Sequence, residues 1–259
     1  MMNQEVGSNR QLWEQRSSEH QNELKGVLFK RFPESLNQHI HKAHLGFVLE
    51  NIQSDSQRIL DVGCGYGRIS MEVLKKFPNA DITGLDVSAT YTELYRKNTG
   101  RSAFQGNLGS LPDGIGKFDL IVCVAVLMYV PKEEVEQTLR ELLDHTNENG
   151  KIILIEPLKS GRVFSSGFGL LNLFTKDKSK TAGNCFAAKD LKRKIRECGG
   201  DIIKEKRTPV TTLFIIPIYL LARIFKHMGW IYRCTGKWDR WFGGWKLPSL
   251  HTFLLIEKV

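Results

Sequence analysis

Ile59-Leu60-Asp61-Val62-Gly63-Cys64-Gly65-Tyr66-Gly67-Arg68 is the stretch whose reading decides the fold. A short apolar run ends in an acid, three glycines alternate with other residues, and Ile69, Val73, Leu74 and Phe77 follow at helical spacing. The pattern predicts strand, tight turn and helix. Alternate glycines open backbone angles closed to other residues and let a ligand lie against bare main chain. The helix beyond aims its unpaired N–H groups and positive dipole end at the same spot. A dinucleotide fingerprint, G-x-G-x-x-G, would need glycine where Arg68 stands; here the spacing is G-x-G-x-G. On its own such a turn is equally readable as close packing.

The next segment favours a ligand. Ala80 to Leu85 reads as a second strand, and Asp86 at its end stands about twenty residues beyond the glycines, where a carboxylate accepts from both hydroxyls of a ribose. A helix N-cap is the plain alternative for such an acid, although Ser88 offers a cap of its own. Acids at two adjacent strand ends, Asp61 and Asp86, point to a nucleoside.

With these residues in view the chain resembles the class I S-adenosylmethionine-dependent methyltransferases of the small-molecule type. The resemblance rests on ILDVGCGYGRIS (59–70), ITGLDVS (82–88), FQGNLGSLP (104–112), FDLIVCVAVLMYV (118–130) and NGKIILIEP (149–157), in that order along the chain. It implies a three-layer α/β, Rossmann-like sheet, mostly parallel with a final antiparallel strand, with N-terminal helices and a helical insertion before the last strand. The cofactor implied is S-adenosylmethionine, leaving as S-adenosylhomocysteine. The resemblance places the methionine part on the turn of Gly63, Cys64, Gly65 and Gly67, with Asp61 orienting that turn or meeting the amino group. It assigns the ribose to Asp86 beside Val87, adenine to Asn107 and Leu108, and a place in the same cofactor site to Val124. Many relatives carry aspartate where this chain has Asn107, whose amide oxygen still accepts from an adenine N–H. Many carry histidine in place of Tyr129, a residue with an ordinary pKa near 10 and so a poor base unaided. Tyr129 is therefore read as a pocket residue before a catalytic one, and Met128 as packing.

Net charge +9 predicts attraction to something anionic. Nucleic acid is not the expected partner: Ala125 to Val130 carries no N-P-P-Y or D-P-P-Y signature, and no Pro-Cys nucleophile is present. The five cysteines are scattered without a C-x-x-C pair, which indicates neither a disulfide framework nor a zinc site. A polar N-terminal stretch and an apolar run, 213–225, too short for a bilayer lead to the expectation of cytoplasmic residence.

The expected organisation is an N-terminal helical lid over 1–53, a core over 54–207 and 249–259 with an insertion at 158–185, and an aromatic-rich helical insertion over 208–248. Residues 1–10 are expected to be disordered, with a helix from Gln11 to Phe32 and a second opening at Pro33-Glu34. On the second helix Leu36, Ile40, Ala43 and Phe47 face the core, and Asn37, His41 and His44 share a neighbouring stripe. The stripe reads either as part of a lid over the cofactor or as the place of a base, His41 or His44, that takes a proton from a substrate hydroxyl, since imidazole titrates near neutrality; partly exposed helix histidines are the plainer reading. Glu156, at a strand tip, is read as a substrate contact, with a cap or a salt bridge as the plainer reading.

The 208–248 insertion holds four of the five tryptophans among cations. That combination suits a peripheral membrane element or a cap over an apolar pocket. Either reading favours methyl transfer to O or N of a small hydrophobic, lipid-linked or sugar-containing metabolite. The alternatives are a protein substrate, or a non-catalytic membrane-surface or protein-binding module with a vestigial site.

Overall fold

Alternation of apolar side chains along the strands builds two cores on one sheet. In β4 (Phe118–Val124) and β5 (Thr146–Pro157), Ile121, Cys123, Ile152 and Leu154 face one side, while Leu120, Val122, Ile153 and Ile155 face the other. Strand side chains point to opposite faces in turn, so a run apolar at every position must be covered on both. The computed structural model describes residues 2–30, 34–112, 114–159, 184–208, 241 and 249–259, with backbone alone for 2–8.

The other strands are β1 (Arg58–Val62), β2 (Asp81–Asp86), β3 (Ala103–Gln105), β6 (Gly200–Thr208) and β7 (His251–Lys258). They form one sheet in the order β3-β2-β1-β4-β5-β7-β6. Strands β1 to β5 pair in parallel, and β7 enters antiparallel between β5 and β6. Helices α1 (Met2–His20), α2 (Leu24–Val27) and α3 (Glu34–Asn51) precede the sheet. Next in the chain come α4 (Ser70–Lys76), α5 (Ala89–Thr99), α6 (Val135–Asp144) and α7 (Ala188–Glu197). Phe47 and Val48 of α3 and Val73 of α4 cover one face. Leu139, Leu142 and Leu143 of α6 with Leu191 and Ile195 of α7 cover the other. The result is the expected three-layer architecture.

The helices keep the expected punctuation. Ser88 Oγ accepts from Tyr91 N at 3.1 Å to cap α5, and Gly100 ends that helix in the left-handed region at φ 66°. Two expectations fail near the N-terminus. Residues 2–10 belong to α1 instead of a disordered tail, and the helix expected over 11–32 is broken after His20, where Gln21 turns to φ 37°. The stretches 160–183, 209–240 and 242–248, which carry most of the two insertions, lie outside the described residues, as does Pro33.

Leu154 is fully buried between β4 and β7. Leu154→Ala is expected to cost about 3 kcal/mol, a fall in Tm of roughly 6–12 °C by differential scanning calorimetry; a change below about 1 kcal/mol would mean the core is not packed as described.

Candidate functional site

The carboxyl ends of β1, β2 and β4 open into a cleft, the place where open α/β sheets bind ligands. The turn after β1 is held from below: Gly63 N and Cys64 N donate to Leu85 O at 2.7 and 3.0 Å. Gly63 sits at φ 65° with Val126 so close that a Cβ would lie 2.2 Å from its Cγ2, and Gly65, at φ 54°, would meet Val27 Cγ1 at 2.9 Å. Both glycines are required by angle and by space.

Asp86 lines this cleft and is buried. Its Oδ2 accepts from Gly65 N at 2.9 Å and its Oδ1 from Ser88 N at 3.0 Å, which ties the glycine turn to the second strand. Burial pushes its carboxyl up to about 6; the N–H groups of Ser88 and Gly65 oppose that rise, and nearby Glu14 adds to it. The group is therefore ionised at neutral pH. Gly63, Gly65, Val87, Asn107, Leu108, Val124 and Tyr129 line the same cleft.

The other candidates lie elsewhere. Asp61 accepts from Ser70 Oγ at 2.6 Å, and burial raises its carboxyl to about 6. Cys64 turns into a small cluster with Tyr95 and Ala103, and a Cβ on Gly67 would meet Thr99 and Tyr95; neither residue lines the cleft. His41 and His44 also lie outside it. Arg68 donates from Nη1 to His41 Nδ1 (3.0 Å) and from Nη2 to His44 Nδ1 (3.3 Å), and His44 Nε2 stands 3.4 Å from His251 Nδ1. Burial, with Arg68 beside it, holds His41 down at about 4, and burial takes His251 to about 3 and His44 well below its ordinary value. These are neutral structural imidazoles and not bases for a ligand in the cleft. Asn37, from the same stripe, donates to Phe29 O at 3.0 Å.

Tyr129 does lie in the cleft, but burial pushes its hydroxyl up to about 12, which disqualifies it as a base near neutrality. Glu156 is a cap. Its Oε1 accepts from Val126 N (3.0 Å) and Leu127 N (2.8 Å), and its Oε2 from Met128 N (3.2 Å). This fixes the turn in which Ala125, a cleft residue, adopts φ 58°.

Sequence reasoning expected an N-terminal lid but did not name the side chains that form it. Trp13 of α1 packs edge-on to Tyr129, ring centres 5.3 Å apart, and lies 6.5 Å from Tyr91; all three line the cleft, as do Asn9 and Val27. Asn9 Nδ2 donates to Tyr129 O at 3.1 Å. Glu14 receives Ala89 N at 2.5 Å and Ser88 Oγ at 3.1 Å, closing the start of α5. Burial alone would raise the Glu14 carboxyl, but hydrogen bonds from Ala89, Thr90 and Ser88 outweigh it and the net shift is downward. Glu141 likewise accepts from Gly109 N (2.9 Å) and Leu111 N (2.8 Å), bracing the loop that follows Asn107 and Leu108. Among the described residues no cluster of acids, histidines or cysteines suits a metal ion, and no helix is long and apolar enough to cross a membrane.

A family described as a methyltransferase domain matches residues 59–150. The ribosomal RNA small subunit methyltransferase C of Haemophilus influenzae is 31% identical over 105 residues, 38% of this chain and 32% of that protein. The malonyl-[acyl-carrier protein] O-methyltransferase of Legionella pneumophila is 31% identical over 106 residues, 39% of this chain and 37% of that protein. The chain thus spans less than half the length of the curated relatives it matches. The fold also matches the magnesium protoporphyrin IX methyltransferase of Synechocystis PCC 6803 with bound SAH. That TM-score is 0.65 at 13% identity, covering 98% of this chain and 100% of that one.

The buried Glu156 carboxyl, raised by burial from 4.5 to about 8 against the opposing N–H groups of Leu127, Val126 and Met128, gives a pH prediction. Unfolded, the group ionises above about 4.5; folded, it holds its proton until about 8, so it costs stability progressively as pH rises through that window. Glu156→Gln should therefore show a smaller fall in unfolding free energy from pH 5 to pH 8 than the parent, by a few kcal/mol. Parallel curves from denaturant titrations would refute this.

Proposed function

The chain carries a class I S-adenosylmethionine-dependent methyltransferase domain, and from that premise we propose that it binds S-adenosylmethionine in the cleft and transfers the methyl group to O or N of a small hydrophobic, lipid-linked or sugar-containing metabolite. The observation that carries this reading is the donor set of the cleft: bare main chain at Gly63 and Gly65, an ionised Asp86 and the amide of Asn107. A nucleoside with an amino-acid tail fits these groups. Asp86 offers acceptor oxygens to ribose hydroxyls, Asn107 an amide oxygen to an adenine N–H, and the glycine turn lines the cleft beside them for the tail.

When bound, the cofactor supplies an electrophilic methyl group on a sulfonium. This chain's residues contribute position and desolvation. Trp13, Tyr91, Val126, Tyr129, Val130 and Pro131 give the cleft an aromatic and apolar wall, which excludes water and suits an apolar acceptor. Holding the two reactants in line is itself worth roughly 7 to 11 kcal/mol in well-oriented reactions. The titratable groups among the described cleft residues are Asp86, Tyr91 and Tyr129, and burial raises both tyrosines.

Asp86→Ala is expected to weaken S-adenosylmethionine binding at least about tenfold by calorimetric titration, the scale of a lost charge-assisted hydrogen bond. For the parent protein affinity should decline as pH falls through about 6, where Asp86 takes up a proton. Unchanged affinity in the variant would remove Asp86 from the site. For the acceptor, methyl-labelled S-adenosylmethionine is incubated with the protein and an extract of the source cells, which is then partitioned. Label in the organic phase is expected for a hydrophobic or lipid-linked acceptor and in the aqueous phase for a sugar-containing one; label in the protein fraction, or in none, would overturn the small-metabolite assignment.

A further inference from the structure

Arg68 stands directly after the glycine turn yet faces away from the cleft. It is buried, 8% exposed. A buried guanidinium ordinarily answers to a carboxylate, but here the two hydrogen bonds it makes go to neutral imidazoles, His41 Nδ1 and His44 Nδ1. The nearest acid in electrostatic terms, Asp61, is engaged by Ser70. Among the described residues no carboxylate forms an ion pair with Arg68. Of a guanidinium's five N–H groups, the two imidazoles take two.

Beside Arg68 is a second cavity of about 330 Å³, lined by Asn22, Leu24, His41, Tyr66, Arg68, Met71, Glu72 and Asn98. The short helix α2 separates it from the cleft, with Leu24 facing the cavity and Val27 the cleft. The tautomer of His41 follows from its neighbour. Arginine can only donate, so His41 Nδ1 is the acceptor and the ring proton sits on Nε2. Asn98 donates to Asn22 Oδ1 at 2.9 Å, which fixes the Asn22 amide with its N–H2 end as a donor. Glu72, the acid in the lining, pairs with Lys75 Nζ at 2.6 Å, and its charge also acts on His41. The cavity thus gathers a cation lacking an acid partner and neutral N–H donors, a set that answers to negative oxygen atoms.

We propose that this cavity binds a small oxyanion, a carboxylate or a phosphate, through Arg68, His41 and Asn22. The site is separate from the methyl-transfer cleft and does not depend on what the cleft binds. A ligand there supplies the direct ion pair that Arg68 lacks among the described residues.

The test uses the full chain with ¹³C-labelled histidine. The His41 ring resonance, assigned by its loss in His41→Gln, is followed at pH 7 as inorganic phosphate or acetate replaces chloride at constant ionic strength. A saturable shift with either anion is expected, and the anion that saturates first identifies the chemistry. Asn22→Asp places a carboxylate in the cavity at an exposed position whose bond to Asn98 is kept, and should weaken binding at least about fivefold by charge repulsion. A linear, unsaturable response to both anions, or saturation that Asn22→Asp leaves unchanged, would overturn the proposal.

Discussion

Strands that end in tight turns leave backbone N–H groups facing inward with no neighbouring strand to receive them, and an unpaired buried N–H costs about 1–3 kcal/mol. Four acidic side chains meet that demand around the cleft. Asp86 receives Gly65 and Ser88; Glu14 receives Ala89; Glu141 receives Gly109 and Leu111; Glu156 receives Val126, Leu127 and Met128. Each fixes a loop from outside that loop, so the cleft's main-chain geometry is set by side chains on β2, α1, α6 and β5. Acidic residues here do structural work first. Of the four, Asp86 also lines the cleft itself.

The same division explains Arg68. In a dinucleotide site the third glycine allows close packing of the helix on the strand. Here the position carries a long cation that reaches back under α3 and is received by His41 and His44, the latter packed against His251 at the start of β7. A polar chain therefore runs from the glycine turn to the last strand. Its members stay neutral apart from Arg68, because a second positive charge beside the guanidinium, out of water, is prohibitively costly.

The sheet was legible because its signals are local. Phe118–Val124 is apolar at nearly every position, and Gly100 and Ser88 punctuate α5 as their residue types require. Asp86 and the glycines were legible because their spacing along one strand-turn-helix unit fixes where they meet. The role of Glu156 was not, since its partners lie 28 to 30 residues away and depend on β5 lying beside β4. Nor was the fate of His44, which is decided by His251, 207 residues distant. The side chains of the expected N-terminal roof went unnamed for a different reason: α1 is polar nearly all round, without the apolar stripe by which an amphipathic helix is recognised.

A helix of that composition has little to hold it apart from its specific contacts. Trp13 between Tyr91 and Tyr129, Asn9 on the Tyr129 carbonyl, Glu14 on α5 and Arg16 on the carbonyls of Lys25 and Leu28 are what α1 has in place of a buried stripe. Two of these, Trp13 and Asn9, also form the cleft wall. A ligand in the cleft therefore touches the residues that dock the helix, and by mass action a ligand that binds only the docked arrangement stabilises it.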